Sequence, residues 1–258
     1  MRRVQPKVFL VAQTTVNASG MQAYLEHIGA ADWKSDAPSD SEVLMEFMGR
    51  LCYRSWRPGM NANVTKVREG NDEYLQNIVK VKHGSVLEHP VVSFVFADVS
   101  RVFTHELVRH RAGAAYSQES LRFVRLTDLG LWLPPEAEND PVVREAFEIT
   151  YRGLEDLQKG LATHLGLDDE GRQFKEKKVL TSMMRRVAPE GLATTIGASF
   201  NFRALRHIIE MRTAESAEAE IRVAFDQVAD ICKLHWPNVF KDFTKNQKGE
   251  WVTENRKV

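Results

Sequence analysis

Only two cysteines, Cys52 and Cys232, occur in 258 residues, too few for a disulfide framework and in keeping with a reducing cytosol. No apolar run approaches membrane length; the longest are short stretches such as 91–99. The first fifteen residues are basic and then apolar, but they have neither a long hydrophobic centre nor a cleavage site, so they read as a first strand. A cytoplasmic protein without a membrane partner is expected. Net charge is missing too: 35 Lys+Arg balance 35 Asp+Glu, which argues against a general nucleic-acid binder. Neither GxGxxG nor GxxxxGK[ST] appears, so any nucleotide would have to be held by other means. Repeats and low-complexity tracts are absent as well.

What is present is an ordinary globular composition, 43% hydrophobic and 27% charged, in a chain long enough for one elaborated domain with a sizeable core. The basic residues are segregated. No lysine falls between Lys82 and Lys159 or between Lys178 and Lys233, yet those stretches hold 13 arginines. Arginine presents a planar fork suited to phosphate and carboxylate, so the segregation points to anion sites.

Hydropathy patterning predicts a strand over 7–16, helices over 19–30 and 41–53, and a long loop over 55–71 rich in Pro, Gly and Asn. A helix over 71–83 precedes a buried strand over 91–99, and Ser100 caps a helix running to about Arg111, closed by Gly113. The second half is mostly helical, over 141–165, 171–187, 202–213 and 215–234, with one strand over 192–200 and Asn201 as a cap. These elements predict a mixed α+β single domain, 1–258, with a small antiparallel or mixed sheet packed by several long helices. Segments 1–40 and 237–258 are expected at its periphery.

The densest polar stretch is Thr104–Arg122. His105-Glu106 begins an HExxH-like string, but Arg109 stands where the second histidine belongs. His110 comes one residue late, turned about 140° from His105 rather than about 40°. No metal site is therefore expected. Arg109, His110 and Arg111 fit the C-terminal end of a helix, where cations meet the macrodipole. Equally, with Ser117, Gln118, Ser120 and Arg122 following a small-residue turn, they fit an anion or nucleotide site. In the helix over 202–213, Leu205, Ile208 and Ile209 define an apolar stripe on which Arg212 is next. A buried arginine must be paired, either with a carboxylate such as Glu215 or Glu218 or with an anionic ligand. Arg203 and His207 share a neighbouring face beside Asn201. Glu88 and His89 are placed to tie loop backbone, and one of Arg185 and Arg186 should point inward. Neither cysteine has an activating histidine nearby, and both read as core residues.

The string THELVRHR followed by SQESLRF resembles the signature of flavin-dependent thymidylate synthases: Arg-His-Arg, a spacer, then Ser-x-Arg-aromatic. Gly49–Tyr53 (GRLCY), Lys82–His89 (KHGSVLEH), Arg185–Pro189 (RRVAP) and Asn201–Arg212 follow in family order, covering about 43–222. The resemblance implies the reductive methylation of dUMP to dTMP in a homotetramer with active sites between subunits. FAD would carry hydride, methylenetetrahydrofolate would donate carbon and NADPH would be the reductant. Carried over position by position, Ser85, Arg109, His110, Arg111, Gln118, Asn201, Arg203 and His207 would contact FAD. Glu106, Arg109, Gln118, Glu119, Ser120, Leu121, Arg122, Arg185 and Arg212 would line the dUMP site. Arg212 and His83 would be catalytic, with Arg212 stabilising the uracil ring as an anion. The absence of a thiolate nucleophile agrees with this chemistry. The chain departs from the family in two places. Eight residues, 112–119, precede Ser120 where the family has seven, and Phe123 replaces a common tyrosine. Two rivals are a non-catalytic flavin- or nucleotide-binding homologue on the same fold and a helical scaffold whose arginines form only structural ion pairs.

Overall fold

A computed structural model describes residues 1–258. Strands β1 (Arg2–Arg3), β2 (Lys7–Gln13), β3 (Val91–Ser100), β4 (Ala114–Gln118), β5 (Gly130–Leu131), β6 (Ala193–Asn201), β7 (Thr244–Lys245) and β8 (Trp251–Val252) alternate irregularly with ten helices. The first five helices are α1 (Ala18–His27), α2 (Asp40–Tyr53), α3 (Asn71–Lys80), α4 (Arg101–Leu107) and α5 (Pro135–Glu138). They are followed by α6 (Pro141–His164), α7 (Phe174–Met184), α8 (Phe202–Arg212), α9 (Ala219–His235) and α10 (Pro237–Phe240).

The centre is an antiparallel four-stranded sheet in the order β2-β3-β6-β4. Strand side chains alternate between faces, and here the alternation separates burial from solvent. Val92, Phe94 and Phe96 of β3 and Ile196, Ala198 and Phe200 of β6 lie on the buried face. On the other face, Ser93 and Ser199 join their hydroxyls at 2.7 Å across the ladder. Helices α8 and α9 press Leu205, Ile208, Ile209, Ile221, Phe225 and Val228 into the same core. A smaller cluster of Leu121, Leu126, Leu129, Leu131, Leu133, Tyr151 and Leu192 forms beneath α6.

Several expectations are corrected. The helix after Ser100 stops at Leu107 instead of near Arg111. Its last carbonyls are satisfied by tight backbone bonds, Arg109 N–H to Glu106 and His110 N–H to Leu107, and from outside, Glu106 also accepting from Arg212 and Leu107 lying within reach of the Tyr116 hydroxyl. Further helical turns are therefore not needed to pair them. The small-residue turn after Arg111 is shorter than expected, because Ala114–Gln118 form the edge strand β4 against β6. The N-terminal segment lies at the periphery of the sheet, as its edge strand with mostly exposed side chains, but the C-terminal segment does not. Strand β2 belongs to the central sheet, and Val239, Phe240, Phe243, Trp251 and Val258 are buried in the main core. Cys232 is a core residue, its thiol pushed well up by burial, but Cys52 is exposed on α2. Arg185 and Arg186 both lie at the surface, because the chain tightens there into a short 3-10 turn, Arg185–Val187.

Candidate active site

Helix α8 organises the site. The Asn201 side chain accepts a hydrogen bond from the Ala204 amide at 2.8 Å, capping the first turn. Asn201 also donates its own N–H to the Gly113 carbonyl at 2.9 Å, which ties the cap to the turn after Arg111. Gly113 has φ +67°, and a Cβ there would sit 2.5 Å from Asn201 Nδ2. Only glycine suits both conditions. The tie places the segment from Arg109 to Gly113 against the first turns of α8, where both line one cavity of about 540 Å³. That size falls within the range of small-molecule sites, roughly 300–1,000 Å³.

Six residues from the flavin set meet in this cavity: Arg109, His110, Arg111, Asn201, Arg203 and His207. Arg203 donates from Nε to the Val258 backbone oxygen at 2.8 Å and pairs with Glu88 at 2.5 Å, so Glu88 holds a side chain rather than loop backbone. Arg206 is buried and donates from two guanidinium nitrogens to Asp242 at 2.8 and 2.7 Å. This fork holds the Asp242 carboxyl below its usual range despite burial. Arg109 and Arg111 make no ion pair, and the buried Nε of Arg206 has no partner. A wall with unpaired cations and an orphaned donor suits an anionic, hydrogen-bonding cofactor such as a flavin dinucleotide.

Arg212, the last residue of α8, is 14% exposed. Neither Glu215 nor Glu218 is its partner. Arg212 donates from Nε to His110 Nε2 at 2.8 Å, from one terminal nitrogen to Glu106 Oε2 at 2.7 Å, and from the other to the Glu106 carbonyl at 3.1 Å. Glu215 instead pairs with Lys248, and Glu218 caps α9. Burial, and then the positive charges of Arg212, His207 and Arg109, lower the His110 pKa to about 4. His110 is therefore neutral at pH 7, and its accepting Nε2 assigns the ring proton to Nδ1. The Tyr116 hydroxyl, its pKa pushed up to about 12 by burial, lies 2.6 Å from the His110 carbonyl.

The remaining predicted residues lie elsewhere. Gln118 donates to Thr104 Oγ1 at 3.1 Å, and Glu119 accepts from the Thr195 amide at 3.0 Å. Ser120 opens a turn in which its carbonyl accepts from Phe123 and Val124. The Leu121 side chain is buried in the smaller core, while Arg122 is exposed. Thr181 of α7 donates to the Arg122 carbonyl at 2.7 Å, and Arg185 follows Thr181 by one helical turn, which puts it on the same side. Ser85 is exposed in the 3-10 turn Gly84–Glu88. His83 meets Tyr53 edge-on with ring centroids 5.5 Å apart, and its Nδ1 is buried without a partner. The two imidazoles of the HExxH-like string part company: His105 faces Glu190 at 3.8 Å, while His110 faces Arg212. Gly49–Tyr53 serves packing rather than the cavity. Arg50 is buried, bonded to Glu46 and to the carbonyls of Ser55 and Arg68, and so pins the loop over 55–70. Sequence reasoning missed Thr253, Asn255 and Lys257, which line the cavity from the chain's last turn. No periodicity or motif in that polar stretch marked them.

The site thus has two parts: a cationic cavity against α8, and an arginine-bearing loop, 119–122, braced by α7. Residues 35–238 match the family model described as Thymidylate synthase complementing protein, Thy1. A flavin-dependent thymidylate synthase of Corynebacterium diphtheriae is 38% identical over 216 residues, covering 82% of this chain and 83% of that protein. Another, from Mycobacteroides abscessus, is 37% identical over 220 residues, with 82% and 83% covered. Among solved structures, a UMP/dUMP methylase, PolB from Streptomyces cacaoi, bound with 5-Br UMP, superposes with TM-score 0.59 at 15% identity. It covers 93% of this chain and 95% of that one, a likeness of fold. With relatives this similar along most of its length, the chain belongs to the Thy1 family, the flavin-dependent thymidylate synthases.

Proposed function

We propose that the enzyme converts dUMP to dTMP with FAD as hydride carrier, methylenetetrahydrofolate as carbon donor and NADPH as reductant, as a cytoplasmic homotetramer with active sites between subunits. The observation that carries this reading is the Arg212–His110–Glu106 constellation, in which the cavity-lining His110 also holds the activating arginine. A guanidinium has five N–H donors, and three are engaged by His110 and Glu106. The two left over can meet uracil oxygens and favour the ring anion, whose carbon is then nucleophilic. Arginine stays charged throughout, and neutral His110 accepts from Arg212 without adding a competing positive charge.

FAD, when bound, supplies the exchange of hydride that completes the methyl group. Around it, Arg109 and Arg111 offer charge to the diphosphate. Asn201, Arg203 and His207 frame the cavity beside them, and Ser85 and Gln118 complete the flavin set. On the second part of the site, Arg122, Arg185 and Ser120 suit the nucleotide phosphate, while the Glu119 carboxylate, bonded to the Thr195 amide, and the buried Leu121 side chain shape the loop. His83 serves near the flavin and folate. Because Arg122 and Arg185 do not line the cationic cavity, an assembly in which one subunit's loop meets another's cavity accounts for both sets.

The sequence offers no competing nucleophile, since Cys232 is sealed in the core and Cys52 lies outside the cavity. The test omits FAD, NADPH, methylenetetrahydrofolate and dUMP one at a time from purified enzyme. Loss of dTMP with every omission is expected; dTMP made without the folate or without NADPH would contradict the assignment of donor or reductant.

A further inference from the structure

We propose that Lys257 is a third cation of the diphosphate subsite, delivered by the C-terminal segment and selecting a flavin dinucleotide over a flavin without phosphate. The proposal rests on the reading of the cationic cavity as the flavin site. Lys257 lines that cavity together with Asn255, alongside Arg109 and Arg111. The other lining guanidiniums are engaged, Arg203 by Glu88 and Arg206 by Asp242. Lys257, Arg109 and Arg111 make no ion pair, and the two carboxylates of the same lining, Glu88 and Glu210, are held by Arg203 and Arg256, so three positive charges without a carboxylate partner share one concavity. Like charges gathered without partners are relieved by an anion carrying more than one negative charge, which a diphosphate is. Lysine suits this role as a compact charge rather than a shaped fork.

The segment that carries Lys257 is fastened on both sides. Before it, Asp242 accepts from Thr253 Oγ1 at 2.6 Å and from Asn255 Nδ2 at 3.0 Å while it also holds Arg206. Trp251 is buried, and its indole N–H donates to Asp226 at 2.8 Å. After it, the Val258 backbone oxygen accepts from Arg203, and Val258 lies so close over Gly84 that a Cβ there would approach its backbone to 2.5 Å. Lys257 itself is exposed. The chain is thus held at Asn255 and at Val258, on either side of Lys257, while the Lys257 ammonium makes no ion pair.

The experiment strips flavin from the wild-type enzyme, Lys257→Gln and Lys257→Arg, then titrates each with FAD and with riboflavin by fluorescence at low and high salt. We expect Lys257→Gln to raise the FAD Kd about ten-fold and to flatten its salt dependence, the loss of one charge-assisted contact. Lys257→Arg should restore binding, and riboflavin affinity should change by less than about two-fold. Unchanged FAD binding in Lys257→Gln overturns the proposal alone. Equal weakening of FAD and riboflavin also overturns it, by assigning the residue to packing of the segment. Wild-type enzyme that binds neither flavin overturns the reading of the cavity, and this proposal with it.

Discussion

Replacing Gly113 with alanine tests how the cavity is built. Gly113 has φ +67°, where an L-residue pays about 1–2 kcal/mol. The added Cβ would also lie 2.5 Å from Asn201 Nδ2 and 2.7 Å from its Cγ and Oδ1. The Asn201 side chain can swing away only by giving up its bond to the Ala204 amide, a cap worth about 1 kcal/mol. The two costs sum to roughly 2–3 kcal/mol. They fall on the joint between the turn after Arg111 and helix α8, so flavin retention should weaken together with stability. Urea unfolding gives the first quantity and flavin fluorescence the second. A double-mutant cycle with Asn201→Ala separates the terms: once the cap is gone, Gly113→Ala should cost only its backbone part, leaving a coupling of about 1 kcal/mol. A loss below about 0.5 kcal/mol in the single variant, or strict additivity in the cycle, would refute this account of the joint.

Arg212→Gln should lower kcat by about 100- to 1,000-fold, the effect of removing one preorganised donor, with a far smaller change in the KM for dUMP. An unmutated kcat would remove Arg212 from the chemistry. Folding should be sensitive to pH at His110, whose pKa falls from 6.5 to about 4 because burial and neighbouring cations favour its neutral form. That stability is full above about pH 6.5 and is lost as pH falls through about 4, so the urea midpoint of His110→Asn should vary less over this window than that of the wild type. Glu220 has the opposite sign. Burial beneath the start of α4 raises its pKa from 4.5 to about 7, so its contribution is present below about pH 4.5 and lost as pH rises through about 7. Glu220→Gln, a neutral mimic, should flatten the stability profile between about pH 5 and 8, and an unchanged profile would show that Glu220 ionises normally.

Much of the fold could be read because local signals carried it. Ser100 and Asn201 are caps with the side-chain bonds their type predicts, and the apolar stripe of α8 faces the core. The cavity was legible for a related reason: Arg109–Arg111 and Asn201–His207 are short motifs whose own elements bring them together. What escaped depended on distance along the chain. Glu106 and His110 lie 106 and 102 residues from Arg212, and nearer carboxylates on the same stretch offered a local alternative. Strand β4 is short and alanine-rich, so only its ladder with β6 makes it a strand. The C-terminal segment looked polar because its few apolar residues are scattered among charged and polar ones, although Val239, Phe240, Phe243, Trp251 and Val258 are buried.

Whether a flavin held in an arginine-rich cavity, and no enzyme thiolate, carries the conversion of dUMP is tested most directly by the rate of dTMP formation by enzyme stripped of flavin, reconstituted with FAD, and then alkylated at the exposed Cys52. No dTMP after stripping, full recovery on adding FAD and no loss on alkylation are expected. Turnover without flavin, or turnover abolished by alkylating Cys52, would contradict this assignment.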